Sequence, residues 1–407
     1  MGFNKSMSFN KECVRNTILY LGPTPFPSNS AASRRILGNA LAIKSAGYDV
    51  IIGGGQISDT DNQSYFEYDS LTVYPTGERT SEKLPRLIKY LKYVTIGKKT
   101  IEWLNSMDPT NIKAVILYSG YSPFLLKLLP WCRNRNIPLV FDAVEWYEPT
   151  NPIRTWINPY YLNIELAMRL LLVKTKNIIA ISSYLENHYS AKGCTTVRIP
   201  PILDTDQMEY RLEANDNNRK VISYTGIPGH KDLFNNYLEA ILTVDREGKQ
   251  LVLHVGGVSQ EEILKFPAFT SRNITKVPPC IIAEGFVPHA RAFEITCEAD
   301  FSVLQRTVQR YTNAGFPTKI VESLSCGTPV IINYTSDLGD YITDEKEGIV
   351  CKDSSSQSLA KAFKRVLALP KEQILQMRHH ARKRAEKSFD FRNYTSAMQS
   401  FMEQISQ

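Results

Sequence analysis

Lys319 and Glu322 stand three residues apart, between a Gly315-Phe316-Pro317 bend and a Cys326-Gly327-Thr328-Pro329 break. The whole stretch runs Thr312-Asn313-Ala314-Gly315-Phe316-Pro317-Thr318-Lys319-Ile320-Val321-Glu322-Ser323-Leu324-Ser325-Cys326-Gly327-Thr328-Pro329-Val330-Ile331-Ile332. It reads as loop, short helix, turn and buried strand. Pro317 lacks an N–H and suits the first helical position. Thr318 and Lys319 then fall in the first turn, where unpaired amides and the helix dipole attract anions. Glu322 follows Thr318 by one turn and shares its face. A phosphate at the helix start and sugar hydroxyls on the carboxylate would together fit a nucleotide diphosphate compound.

Such a helix needs a sheet to aim it, and the rest of the chain supplies alternating strands and helices. Thr17 to Gly22 reads as a strand that runs into a small-residue loop containing Ser28, Asn29 and Ser30. A helix over about Ala31–Ala46 follows, and any of the three could cap it. The strand Pro138–Asp142 ends in Asp142-Ala143-Val144-Glu145-Trp146-Tyr147-Glu148, and carboxylates beyond a strand end suit sugar hydroxyls. The alternative places Trp146 and Tyr147 in the core, with the acids capping the next helix. Lys220 to Gly226 is a strand leading into Gly226-Ile227-Pro228-Gly229-His230-Lys231-Asp232, where a glycine turn and a lysine at a helix start suit a diphosphate. The strand from Ala299 delivers Arg306 beside the main stretch, either as positive charge for the site or as an arginine paired with a nearby acid.

The Thr312–Ile332 stretch resembles the donor-binding signature of the GT4-like retaining glycosyltransferases of the GT-B fold, the bacterial polysaccharide and glycolipid type. That signature has a glutamate, Gly-Phe, a second glutamate eight positions after the first, and a Cys-Gly-Thr-Pro-Val-like tail. Gly315-Phe316, Glu322 and Cys326 to Val330 match, whereas Ala314 stands where the first glutamate belongs. In the family that carboxylate contacts the donor sugar. The resemblance implies an α/β protein with two Rossmann-like domains facing across a cleft. It implies a donor site of Gly226, Lys231, Phe286, Val287, Arg306, Asn313, Gly315, Phe316, Pro317, Thr318, Lys319 and Glu322. Ile227 replaces an arginine common in the family. Lys231 and Lys319 would clamp the diphosphate, Asp142 and Glu145 would orient the acceptor, and Ser28, Asn29 and Ser30 would face the donor phosphates across the cleft. The leaving phosphate would take the acceptor proton, so no side-chain base, metal ion or cofactor is expected. A nucleotide-sugar epimerase and a non-catalytic partner subunit of the same fold are the alternatives. Product analysis separates the first, and retained Lys231, Lys319 and Glu322 speak against the second.

Composition sets the frame. The 407 residues are enough for two cores. They divide into an acceptor domain over 1–204, a donor domain over 205–385 and a helix over 386–407 returning across the junction. Apolar residues make up 43% and charged ones 22%, as in ordinary globular chains. The net charge of +7 fits anionic small molecules or a membrane surface and is too diffuse for nucleic acid. Seven cysteines without a Cys-x-x-Cys pair suggest reduced thiols in the cytoplasm. No apolar run is long enough to span a membrane. A basic helix over Glu82–Asn105, carrying Lys83, Arg86, Lys89, Lys92, Lys98 and Lys99, suits either solvent or peripheral contact with an anionic membrane. The expected partners are a nucleotide sugar and a saccharide or lipid-linked saccharide acceptor.

Overall fold

The computed structural model describes residues 16–56, 64–78, 93–118, 120–147, 159–213, 219–229 and 231–406. Glu148, His230 and the basic stretch from Glu82 to Lys92 lie outside the described residues, as does the lead-in before Asn16. Of the expected basic helix, Lys98–Asn105 is described and helical.

Two sheets organise the chain. The first contains β1 (Thr17–Leu21), β2 (Asp49–Gly54), β3 (Phe66–Tyr68), β4 (Leu71–Pro75), β5 (Ile112–Tyr118), β6 (Leu139–Ala143), β7 (Asn177–Ala180) and β8 (Thr195–Arg198). The second contains β9 (Lys220–Thr225), β10 (Leu251–Gly256), β11 (Ile281–Ala283), β12 (Phe301–Leu304), β13 (Val330–Ile332) and β14 (Gly348–Val350). Their orders are β3-β4-β2-β1-β5-β6-β7-β8 and β11-β10-β9-β12-β13-β14. Among the described strands, only the β3–β4 pair is antiparallel. Ile18 to Leu21, Val115 to Leu117 and Val330 to Ile332 are buried without interruption, because helices cover both faces of a parallel sheet. Strand order reverses at β1/β5 and at β9/β12, so a crevice opens at each of those strand ends.

The chain crosses between the halves at two places that lie side by side. Leu203 N donates to Phe389 O (2.9 Å), and Phe391 N donates to Leu203 O (3.0 Å). The Asp390 carboxylate accepts from Thr205 Oγ1 and from its backbone N–H at 2.5 and 3.1 Å. Helix Lys371–Ser388 belongs to the second half, where Arg378 donates to the carbonyls of Ala299, Cys297 and Arg211. Helix Thr395–Gln404 belongs to the first, burying Met398, Phe401 and Met402 against Ile36, Ala40 and Ile43. Helix Ala31–Ser45 passes so close to the crossing that a Cβ on Gly38 would lie 2.1 Å from Ile202 O.

One expected site residue is structural. Asp142 is fully buried: its carboxylate accepts from Arg35 Nη2 (2.8 Å) and Tyr20 Oη (2.5 Å). Arg35 Nη1 donates onward to Ile199 O and Pro200 O at 2.6 and 2.7 Å. The expectation that Asp142 orients an acceptor is therefore corrected. Strand β6 extends through Ala143, so Asp142 still obeys strand alternation and points toward helix Ala31–Ser45 rather than into the cleft. Asp142→Asn leaves a buried guanidinium without its counter-charge and should cost about 3–5 kcal/mol in urea denaturation. The double replacement Asp142→Leu, Arg35→Met should recover most of that loss.

Candidate active site

The crevice of the second half is built around Asp232. Strand β9 ends at Thr225, and Gly226 turns the chain with φ +116°. A Cβ on Gly226 would sit 2.9 Å from Lys319 Nζ, so the glycine gives the lysine its place. Lys319 lies in the first turn of helix Thr318–Ser325 and donates to Asp232 Oδ2 at 2.8 Å and Tyr224 Oη at 3.2 Å. Arg306, just beyond β12, donates from Nε to Asp232 Oδ1 at 2.8 Å. Tyr224 Oη donates to Asp232 Oδ2 at 2.9 Å. Burial pushes the Asp232 carboxyl upward, but Lys319 and Arg306 outweigh it and bring it down to about 2. Burial also holds the Lys319 ammonium below its usual range, against the pull of Asp232. Two cations around one carboxylate leave a residual positive charge, and the N-terminus of helix Thr318–Ser325 adds to it.

Glu322 lies one turn further along that helix. Its Oε1 is 2.7 Å from Arg34 Nε, which comes from the first half, and 3.7 Å from His289 Nε2. Burial raises the Glu322 carboxyl, and His289 and Arg34 together bring it below its ordinary value. A second ion pair across the cleft joins Lys231 to Glu145, with the Lys231 ammonium 5.1 Å from the ring centre of Tyr147 and 5.8 Å from that of Tyr311. Ser182 Oγ donates to Ala314 O at 2.7 Å. The backbone N–H and hydroxyl of Ser183 both donate to Asp337. Ala314, in the position the family signature gives to glutamate, is thus buried between the halves.

Several expected residues hold the scaffold rather than face the cleft. Lys231 precedes its helix, which begins at Phe234. Leu233 N donates to Gln305 O, which draws the loop onto the end of β12. Asp232 turns inward and Lys231 outward, so Lys231 and Lys319 are held by different carboxylates in different halves. The Phe316 ring is core, edge-on to Tyr341 and Phe389, which leaves only its backbone for a ligand. Asn313 Oδ1 accepts from Ser336 N at 3.0 Å and braces that loop. Pro317 is the residue before the helix, and Thr318 is its first residue. Gly315 lies against the opposite half, where a Cβ would be 3.5 Å from Val144 O. Ser30 caps helix Ala31–Ser45 by accepting from Ser33 N. Ser28 Oγ is 2.9 Å from Ser30 Oγ, and Asn29 O accepts from Arg34 Nη1. That loop therefore braces the first turn of the helix and its Arg34. Phe286 is 83% exposed beyond β11, while Val287 packs toward Gly256.

The sequence reading missed Asp232, Tyr224, Arg34 and His289. The signal for Asp232 is its place directly after Lys231, together with an arginine at 306 that suits either the site's positive charge or a nearby acid.

In the first half, beyond β5 and β6, lies a cavity of about 230 Å³ whose lining includes Tyr118, Tyr121, Phe141, Glu145, Tyr147 and Asn163. Trp146 is buried beside it and donates to Glu165. Among the described residues no cluster of His, Cys, Asp and Glu could hold a metal ion, and no helix is long and apolar enough to cross a membrane.

Two Rossmann-like halves with their strand-end crevices opposed are the GT-B fold, and comparison with solved structures agrees. Sucrose-phosphate synthase from Thermosynechococcus elongatus is similar at 15% identity and TM-score 0.67, covering 96% of this chain and 98% of that one. A glycosyltransferase from Rickettsia africae is similar at 14% identity and TM-score 0.61, covering 96% and 98%. Anabaena HepE in complex with UDP-glucose is similar at 13% identity and TM-score 0.63, covering 96% and 100%. Residues 205–388, which carry the Asp232 cluster and Glu322, match the family model described as Glycosyl transferases group 1. No curated protein sequence matches the chain significantly.

The Asp232 cluster gives a pH test. A carboxyl held at about 2 stabilises the fold fully above its unfolded value, and the contribution is lost as pH falls through 2. Asp232→Asn should cost roughly 2–3 kcal/mol at pH 7. The gap to wild type should close between about pH 4 and pH 2 in chemical denaturation.

Proposed function

We propose that this chain is a retaining glycosyltransferase of the GT4-like kind. It transfers a sugar from a nucleotide-diphosphate donor in the second half to an acceptor hydroxyl held by the first. The observation that carries the reading is the Asp232–Lys319–Arg306 cluster under Gly226, with residual positive charge at a helix N-terminus and Glu322 one turn on. That pattern is complementary to a diphosphate beside a ribose. The match of residues 205–388 to group 1 glycosyl transferases supports the activity, and the UDP-glucose complex of the similar HepE makes uridine nucleotides the first to try.

In this reading the bond between the anomeric carbon and the β-phosphate oxygen breaks, and its electron pair stays on the diphosphate. The acceptor oxygen bonds the same carbon on the face the diphosphate leaves, and its proton passes to the departing phosphate oxygen. Lys319 and Arg306 stabilise the charge that develops there, before any solvent must reorganise. Lys231 contributes a further positive charge where donor and acceptor meet. Glu145, on the wall of the aromatic-lined cavity, accepts from the acceptor's hydroxyls, and the tyrosine rings offer faces to a saccharide.

The clamp is cationic side chains, so transfer needs no divalent metal or cofactor, and activity should survive EDTA. Dispersed cysteines and the net charge of +7 suit a cytoplasmic enzyme, peripheral at the inner face of a bacterial membrane, in surface polysaccharide or glycolipid assembly.

A thermal-shift panel of nucleotides and nucleotide sugars tests the donor class, since a ligand at about 100 times its Kd stabilises by roughly 2.7 kcal/mol. Absence of any nucleotide-dependent shift would sink the reading. Glu322→Ala should weaken nucleotide binding by roughly tenfold or more, through lost charge-assisted bonds to the ribose. Lys319→Ala should lower turnover by about 10²-fold while donor affinity falls less, because the lysine matters most to the leaving group.

A further inference from the structure

We propose that Arg34 is a catalytic residue of the donor site, contributed by the opposite half, and that it exchanges Glu322 for the donor's diphosphate when the nucleotide sugar binds. The proposal rests on the glycosyltransferase reading and adds to it a group that the donor half does not contain.

The charge balance motivates it. A nucleotide sugar's diphosphate is doubly anionic and gains more charge as the glycosyl bond breaks. The donor half meets it with Lys319 and Arg306, but Asp232 sits between them and cancels one of the two. Lys231 is held by Glu145. Ile227, which directly follows the Gly226 turn, is 73% exposed and brings no charge at all.

Arg34 is placed to make up the difference. It lies in the first turn of helix Ala31–Ser45, and its Nη1 is anchored on Asn29 O at 2.9 Å. The guanidinium thus reaches across the cleft to the helix that carries Lys319, with Nε 2.7 Å from Glu322 Oε1. That contact is close but poorly aligned. Arg34 Nε and Glu322 Oε1 are both buried, and neither makes a well-directed hydrogen bond. Polar atoms withdrawn from water without aligned partners are costly, and such orphans mark places where another group belongs.

A bound nucleotide resolves both orphans. The ribose hydroxyls donate to Glu322, with His289 still facing that carboxylate. The arginine, released from its carboxylate, turns to the nearest new anion, which is the diphosphate. Its planar fork of donors matches phosphate oxygens two at a time. A cation is thereby transferred from an enzyme carboxylate to the leaving group at the moment the two halves meet around the donor.

The test compares a nucleoside diphosphate with its monophosphate. Calorimetry with UDP, GDP and ADP first identifies a diphosphate that wild type binds. If it binds none, the glycosyltransferase reading itself fails. The bound diphosphate and its monophosphate are then titrated into Arg34→Ala, Arg34→Gln and Arg34→Lys, each checked for a wild-type unfolding transition. Arg34→Ala and Arg34→Gln should lose roughly tenfold or more in diphosphate affinity, with monophosphate affinity unchanged within about twofold. Arg34→Lys should recover part of the loss, and turnover of the nucleotide sugar should fall in the order wild type, Lys, Gln. An equal change in both ligands overturns the proposal in either direction. Equal tightening would mean that Arg34 only competes for Glu322, and equal weakening would mean that it acts at the ribose.

Discussion

Asp232 holds one negative charge between Lys319 and Arg306; the acid and the arginine lie just beyond the ends of parallel strands, and the lysine in the first turn of a helix. Remove the carboxylate and two neighbouring cations repel each other with nothing between them. Add a second carboxylate and the crevice no longer attracts phosphate. One acid with two bases satisfies both demands, because the pair is neutralised enough to fold and cationic enough to bind. The surrounding backbone follows from that arrangement. Gly226 must be glycine because the turn there takes φ +116°, and the Asp232 loop must lie on the end of β12 because Arg306 emerges there. Tyr224, on the central strand β9, supplies the ring beneath the lysine and the hydroxyl that completes the carboxylate's hydrogen bonds.

The central strands could be read from the sequence because parallel strands covered on both faces are unbroken apolar runs, as at Ile18 to Leu21 and Val330 to Ile332. The hairpin β3–β4 left no such trace. Phe66, Glu67 and Tyr68 are all exposed at the sheet's edge, and the turn at Asp69-Ser70 takes positive φ without a glycine to announce it. The helix carrying Lys319 and Glu322 was legible from its glycine and proline punctuation. The direction of individual side chains was harder. Asp142 and Glu145 belong to one acidic run, yet the first is still inside a strand and the second is past its end. Lys231 and Asp232 are neighbours that point to opposite sides of a loop. Which of two adjacent charges faces the crevice depends on partners a long way off in sequence, such as Arg35 and Arg306. Arg34 was invisible for the same reason, since a helix's apolar stripe tells what it packs against and not where its first turn points.

The ion pairs Arg34–Glu322 and Lys231–Glu145, with Arg198–Asp337 and Arg310–Glu165 also joining the halves, give them a preferred arrangement when no ligand lies between them. The first two each join a carboxylate that the proposed reaction would use to a cation from the other side. The carboxylates that would meet ribose and acceptor therefore each face a cation of the other half before either arrives. The Ser183–Asp337 contact behaves differently: it closes the N-terminus of helix Ser183–Ser190 with an acid from the far half and has no part in the proposed chemistry.

The paired crossing at Leu203 and Phe389–Phe391 has a mechanical consequence. A single connecting strand lets two bodies swivel, twist and bend with little resistance. Two strands lying side by side and bonded to each other behave as a strap, which folds readily along its width and strongly resists torsion. The halves of this protein are joined by such a strap, and helix Thr395–Gln404 fastens its far end to the first half. Such a joint opposes bending less than twisting, and a bend that widened the cleft would part Arg34 from Glu322 and Lys231 from Glu145 together.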